Sequence, residues 1–203
     1  MKVVAFLGSP RVEGNTELLL NEAIRAVEEE GHDVTLFLPS QMNLSPCINC
    51  GGCDETGECV LEDDMNDVYQ AIREGERFIL ASPIFFFGLS AQIKALIDRC
   101  QAFWCEKYLL KKPVPEGPNG RKGLLLMVGG MKREEGFECG NATATAFFRT
   151  INVQEHDKLY YKGVDAKGAV KKHPTALKEA YAAGKGLVKL SGQRSKLADA
   201  RKT

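Results

Sequence analysis

From its first residues to about residue 190, the chain alternates short apolar runs with amphipathic helical stripes, and few folds accept that pattern. The run Lys2-Val3-Val4-Ala5-Phe6-Leu7 stops at Gly8-Ser9-Pro10. An unbroken run of this length suits a strand buried on both faces of a parallel sheet. Leu19, Leu20, Ala23, Ile24 and Val27 then fall on one helical face, and Gly31 supplies a stop. Val34–Leu38, Phe78–Ala81, Leu124–Val128 and Lys158–Lys162 read as further strands. Helices are expected from Asp63-Asp64, after a Ser90 cap, over Asn141–Ile151, and from Pro174 to Leu190. The helix after Ser90 is expected to bury Ile93, Leu96, Ile97, Cys100 and Phe103-Trp104. Five strands alternating with five helices predict an α/β fold with a doubly wound parallel sheet.

The organisation expected is one domain over 1–190 and a polar tail over 191–203. Two long connections break the rhythm, at about 40–62 and 106–122; loops of this length carry function or disorder. Lys+Arg and Asp+Glu number 27 each, so charge gives no reason to expect nucleic acid or a membrane surface as partner. Met1-Lys2 leads straight into a strand rather than a secretory leader, and the apolar stretch Phe78–Leu89 is too short for a bilayer. A cytoplasmic protein is the expectation.

The loop Gly8-Ser9-Pro10-Arg11-Val12-Glu13-Gly14-Asn15-Thr16 joins the first strand to the first helix. The helix directs free N–H groups and its positive dipole end at this loop, which makes it a phosphate cradle. Ser9, Asn15 and Thr16 offer side-chain donors, Arg11 a charged one, and Gly14 close backbone approach. A turn followed by an Asn15 or Thr16 cap is the plainer reading. Position favours the cradle, because open α/β sheets bind ligands at the carboxyl ends of their strands. The loop is neither a dinucleotide fingerprint nor a P-loop.

Pro83-Ile84-Phe85-Phe86-Phe87-Gly88 follows the third strand. Three successive phenylalanines there need a cover, either a flat aromatic ligand, the core or a second subunit. Gly129-Gly130 ends the fourth strand, as a turn or a further ligand contact.

Cys47, Cys50, Cys53 and Cys59 form the sharpest constellation. Two-residue gaps let successive thiolates wrap one corner of an iron–sulfur cubane, and Gly51-Gly52 permit unusual dihedrals. Structural zinc, with its usual longer spacer between pairs, and a redox-active dithiol at Cys47/Cys50 stay open as alternatives. Cys100 lies on an apolar stripe, and Cys105 and Cys139 have no evident role. The residues offer no hydrolytic arrangement, and His32, His156 and His173 lack metal-ligand spacing.

Together, the first loop and the segment from Ser82 through Arg99 resemble the flavin loops of the NADPH-dependent FMN reductase branch of flavodoxin-like proteins, over roughly residues 1–150. The cysteine spacing resembles that of iron–sulfur flavoproteins, with Val60 where a ferredoxin run carries proline. The resemblance implies strand order 2-1-3-4-5 and FMN bound by Ser9, Arg11, Gly14, Asn15, Thr16, Pro83–Gly88, Gly129 and Gly130. It implies a [4Fe-4S] cluster on the four cysteines and a homodimer or homotetramer with flavin near the interface. The implied activity is electron transfer between a low-potential carrier such as a ferredoxin and an acceptor. An NAD(P)H-dependent flavin or quinone reductase without a cluster is the alternative, and a flavin-binding sensor without turnover is a third.

Overall fold

The computed structural model describes residues 1–190; the expected polar tail from Ser191 lies outside the described residues. Strands β1 (Val3–Leu7), β2 (Val34–Phe37), β3 (Arg77–Phe85), β5 (Lys122–Gly129) and β6 (Glu155–Lys162) are all parallel, in the spatial order β2-β1-β3-β5-β6. The two-residue β4 (Gly88–Leu89) pairs antiparallel with the end of β3. This sixth strand corrects the expected five-strand count and the order 2-1-3-4-5, although the five long strands lie in the order foreseen.

Alternation of side chains across β1 divides the interior into two layers. Val3, Ala5 and Leu7 pack with Leu19, Leu20, Ala23 and Val27 of α1 (Asn15–Glu29) and with Ala176, Ala180 and Leu187 of α6 (Ala176–Leu187). Val4 and Phe6 face the other layer. There they meet α2 (Met65–Glu74), α3 (Ala91–Arg99), α4 (Gln101–Trp104) and α5 (Glu135–Thr150). Among the described residues no helix is long and apolar enough to cross a membrane.

Several boundaries differ from expectation for local reasons. β3 runs on to Phe85 because Ile84 and Phe85 gain partners in Leu89 and Gly88. α5 starts at Glu135 rather than Asn141, and its early glycines disguised it. A Cβ on Gly136 would meet Met131 Sδ at 2.4 Å and one on Gly140 would meet Met127 Sδ at 2.7 Å, so both let the helix pack closely against the end of β5 and the loop after it. α6 starts after Pro174 rather than at it, because the His173 ring accepts from the Ala176 N–H at 3.1 Å. Trp104 is 39% exposed; neighbouring residues on a helix point about 100° apart, so it cannot share the stripe of buried Phe103.

The connection after residue 106 opens with a π-helical turn, Cys105–Leu109. Its remainder is held by two buried arginines that lend their guanidinium groups to backbone carbonyls. Arg77 donates to Leu187 and Gly120 at 2.8 and 2.7 Å, and Arg121 donates to Ile72.

Candidate functional site

The strand order reverses between β1 and β3, and a cleft opens above that switch point, where sheets of this type bind ligands. Ser9, Arg11, Gly14, Asn15, Thr16, Pro83, Ile84, Phe85, Gly129 and Gly130 all line it. Of the residues foreseen, Phe86, Phe87 and Gly88 stand beside the cleft rather than in its wall.

The first loop turns the start of α1 toward the cleft. Gly14 precedes α1 in extended conformation and no side chain caps the helix, so the first amides of α1 lack intrahelical acceptors and face the cleft. A Cβ on Gly14 would sit 2.9 Å from the Arg11 carbonyl oxygen, which its own N–H bonds at 3.1 Å. Ser9 and Thr16 are buried, and Ser9 Oγ accepts from the Arg11 N–H at 3.2 Å.

Asn15 is occupied differently. Its amide nitrogen donates to the Ala166 carbonyl at 2.9 Å and its oxygen accepts from the Val170 N–H at 3.1 Å. It therefore holds a further wall, Val164-Asp165, that the sequence reading missed. Arg11 donates to the Asp165 carbonyl at 3.4 Å. Gly130 admits this wall, since a Cβ there would lie 2.8 Å from that of Asp165. Glycine next to a strand end was the only signal available.

The second loop is a two-residue hairpin with Phe86 and Phe87 at its turn. Both have positive φ, 44° and 64°. A tight hairpin turn wants glycine or asparagine there, and bulky residues in this region cost about 1–3 kcal/mol each. Phe86 is 105% exposed, and the Arg133 guanidinium lies 5.6 Å from the Phe87 ring centre. Ser90 joins the two loops: it caps α3 and donates to the Gly8 carbonyl at 2.5 Å.

A second cavity, of about 310 Å³, is lined by Cys47, Cys50, Cys53 and Cys59 together with Arg99 and Ala102. The loop carrying these cysteines has almost no regular structure, yet its two feet are pinned by one buried ion pair. Arg99 grips Asp63 with both terminal nitrogens, at 2.6 and 3.1 Å, and also donates to the carbonyls of Ser45 and Leu61. The two side chains are 0% and 6% exposed. Burial alone would raise the Asp63 pKa, but Arg99 and the N–H groups of Ser45 and Met65 outweigh it and hold the carboxyl below its ordinary range. Asp63 was expected to serve the start of α2; it does accept from the Met65 N–H at 3.1 Å, but the Arg99 pair is its larger task. Asp64 stands at the N-cap of α2, but its side chain accepts from the Asn43 N–H instead of capping the helix.

Among the described residues, the one group of three or more thiol, imidazole or carboxylate ligand atoms lying within 4.8 Å of one another is Cys53, Asp54 and Cys105. The four loop thiols are thus spread more widely than the corners of a single zinc tetrahedron, about 3.8 Å apart. All four line one cavity, and four thiolates are a donor set that iron–sulfur clusters take. Burial pushes the Cys53 thiol up, and pushes Cys105 up to about 12 with help from its hydrogen bond to Asp54.

Residues 1–156 match the family model described as NADPH-dependent FMN reductase. The chain is 44% identical over 99 residues to an iron–sulfur flavoprotein of Methanocaldococcus jannaschii, covering 49% of this chain and 51% of that protein. A second iron–sulfur flavoprotein of that organism is 32% identical over 149 residues, covering 73% and 71%. The chain spans about half the length of several curated relatives it matches. Among solved structures, an NAD(P)H:quinone oxidoreductase from Methanothermobacter marburgensis superposes with TM-score 0.67 at 17% identity, covering 92% of this chain and 98% of that one, which shows a shared fold.

Proposed function

This chain belongs to the NADPH-dependent FMN reductase family, on its iron–sulfur flavoprotein branch, and from that membership we propose that it is a flavin-dependent oxidoreductase holding FMN and a [4Fe-4S] cluster. When bound, FMN supplies both one- and two-electron chemistry and the cluster supplies single-electron chemistry.

In this reading Ser9, Arg11, Thr16 and the first amides of α1 bind the FMN phosphate. Asn15 fixes the wall opposite, and Gly14 and Gly130 keep the cleft open. The backbone from Pro83 to Gly88 borders the ring, Gly129 underlies it, and Phe85, Phe86 and Phe87 shield it from water. Cys47, Cys50, Cys53 and Cys59 hold the cluster, and Arg99 holds their loop. No side chain is assigned as general acid or base. The observation that carries the reading is the convergence of all four loop thiols on one cavity, in a chain that has a separate cleft at its strand ends lined by Ser9, Arg11 and Thr16.

The physiological task proposed is electron transfer between a low-potential carrier such as a ferredoxin and an acceptor. The exposed phenylalanine turn is covered by a second copy in a homodimer or homotetramer. The description of the family model favours a second reading, NAD(P)H-dependent reduction of flavin or quinone without a cluster. Anaerobic stopped-flow reduction separates the two. The first predicts fast reduction by a reduced ferredoxin and slow reduction by NAD(P)H. Fast NAD(P)H turnover by protein free of iron would replace it with the second.

A further inference from the structure

Two cysteines share the segment that follows α3, and they behave differently. Cys100 is an ordinary buried thiol, donating to the Leu96 carbonyl of its own helix at 3.5 Å. Cys105, one turn on and equally buried, faces the cysteine loop instead. Its Sγ lies 3.6 Å from Cys53 Sγ and 3.3 Å from Asp54 Oδ1. The sulfur–sulfur separation is far beyond a disulfide bond of about 2.05 Å. It does match the edges of a metal tetrahedron. Zinc–sulfur bonds of about 2.3 Å and zinc–oxygen bonds of about 2.0–2.2 Å give S···S edges of about 3.8 Å and S···O edges of about 3.5 Å.

The surroundings hold this arrangement in place. Cys105 opens the π-helical turn, a backbone irregularity common at functional sites. Glu106 of that turn is gripped by both terminal nitrogens of Arg73, at 3.0 and 2.5 Å. The cysteine loop lies directly on the same residue, because a Cβ on Gly57 would meet Glu106 Cγ at 2.3 Å. Gln101 Nε2 lies 3.7 Å from Cys105 Sγ, so the Gln101 amide oxygen, after rotation, or a water can fill a fourth position.

We propose that Cys53, Asp54 and Cys105 form a second metal site, for one thiophilic divalent cation of the zinc class, which excludes the cluster because Cys53 belongs to both. Only the exclusion rests on the cluster reading; the cation site stands on the three ligand atoms. Two thiolates and a carboxylate favour a zinc-like ion over magnesium or calcium, which prefer all-oxygen shells.

The test uses cluster-free full-length protein, reduced and anaerobic, with Zn²⁺ as the probe. X-ray absorption at the zinc edge should show two sulfur and two oxygen or nitrogen neighbours; four sulfurs would overturn the proposal. A Cys47→Ser/Cys50→Ser/Cys59→Ser protein should still bind one zinc. Adding Cys105→Ser should weaken that binding more than about 100-fold, the upper effect of merely losing a residue that supports a ligand. Retained affinity would overturn the site. Far-UV circular dichroism and FMN binding confirm that the variants fold. Iron and sulfide in Cys105→Ser alone report separately on the cluster reading and should match wild type.

Discussion

The proposed FMN cleft and the cysteine loop sit on the same scaffold but derive their shape from different sources. The cleft is made from the ends of β1, β3 and β5 and the start of α1, so its geometry is inherited from the sheet hydrogen bonds and two apolar layers beneath it. The cysteine loop inherits almost nothing. Between β2 and α2 its position depends chiefly on Arg99, whose guanidinium reaches Asp63, Ser45 and Leu61, with smaller ties from Asp64 to Asn43 and from Gly57 to Glu106. A site built from regular elements loses function by degrees, one contact at a time. A site held chiefly by one buried charge pair is lost more abruptly when either partner goes.

That contrast can be broken most forcefully at the thiols. Cys50→Ala should lower bound iron from about four per chain to near zero, while FMN content stays at wild-type level. Iron assay and flavin absorbance on the same sample check it, and full iron retention would remove Cys50 from the ligand set.

The next largest effect is expected at the pin itself. Arg99→Met leaves Asp63 buried without its partner and should cost about 3–5 kcal/mol in urea unfolding, with FMN affinity little changed in the folded fraction. The pH dependence has a definite sign. Because the folded-state pKa of Asp63 lies below its ordinary 3.8, its contribution is fully present above that value and is lost as pH falls through the lower folded value. The stability difference between wild type and Asp63→Asn should therefore be flat from about pH 7 to 5 and shrink below about pH 4.

These two regions were also unequally legible. The sheet could be read from apolar runs and the cradle from Gly8 to Thr16, because both depend on neighbours in sequence. The thiol motif was equally plain. What pins it was not: Arg99 lies 36 residues beyond Asp63, and nothing local marks an arginine in a helix as buried. Cys105 was opaque for the same reason, its partners being 51 and 52 residues away. The hairpin turn at Phe86-Phe87 was not foreseen, because its residues contradict the preferences of the turn they occupy. The Val164-Asp165 wall was missed because only the side chain of Asn15 ties it to the cleft.

In the cleft, smaller and graded losses are expected. Ser9→Ala/Arg11→Ala should weaken FMN about 10- to 100-fold, the worth of one or two hydrogen bonds to a charged group; fluorescence titration measures it, and unchanged affinity would move the phosphate elsewhere. The smallest effect should be a gain. Phe86→Gly removes a fully exposed ring from a strained turn and should stabilise the monomer by about 1 kcal/mol, seen as a rise in Tm. The rise applies at dilutions that keep the chain monomeric, and a fall in the monomer would contradict the strain at this turn. At concentrations that assemble it, the same variant should lower Tm, because the second copy loses the ring it covers.

The central claim is that one chain holds both groups at once, and its most direct test is composition. Protein purified without oxygen, then assayed for flavin, iron and acid-labile sulfide, should contain about one FMN with about four iron and four sulfide per chain. One FMN with neither iron nor sulfide would contradict the account and leave a flavin reductase whose cysteine loop holds no cluster.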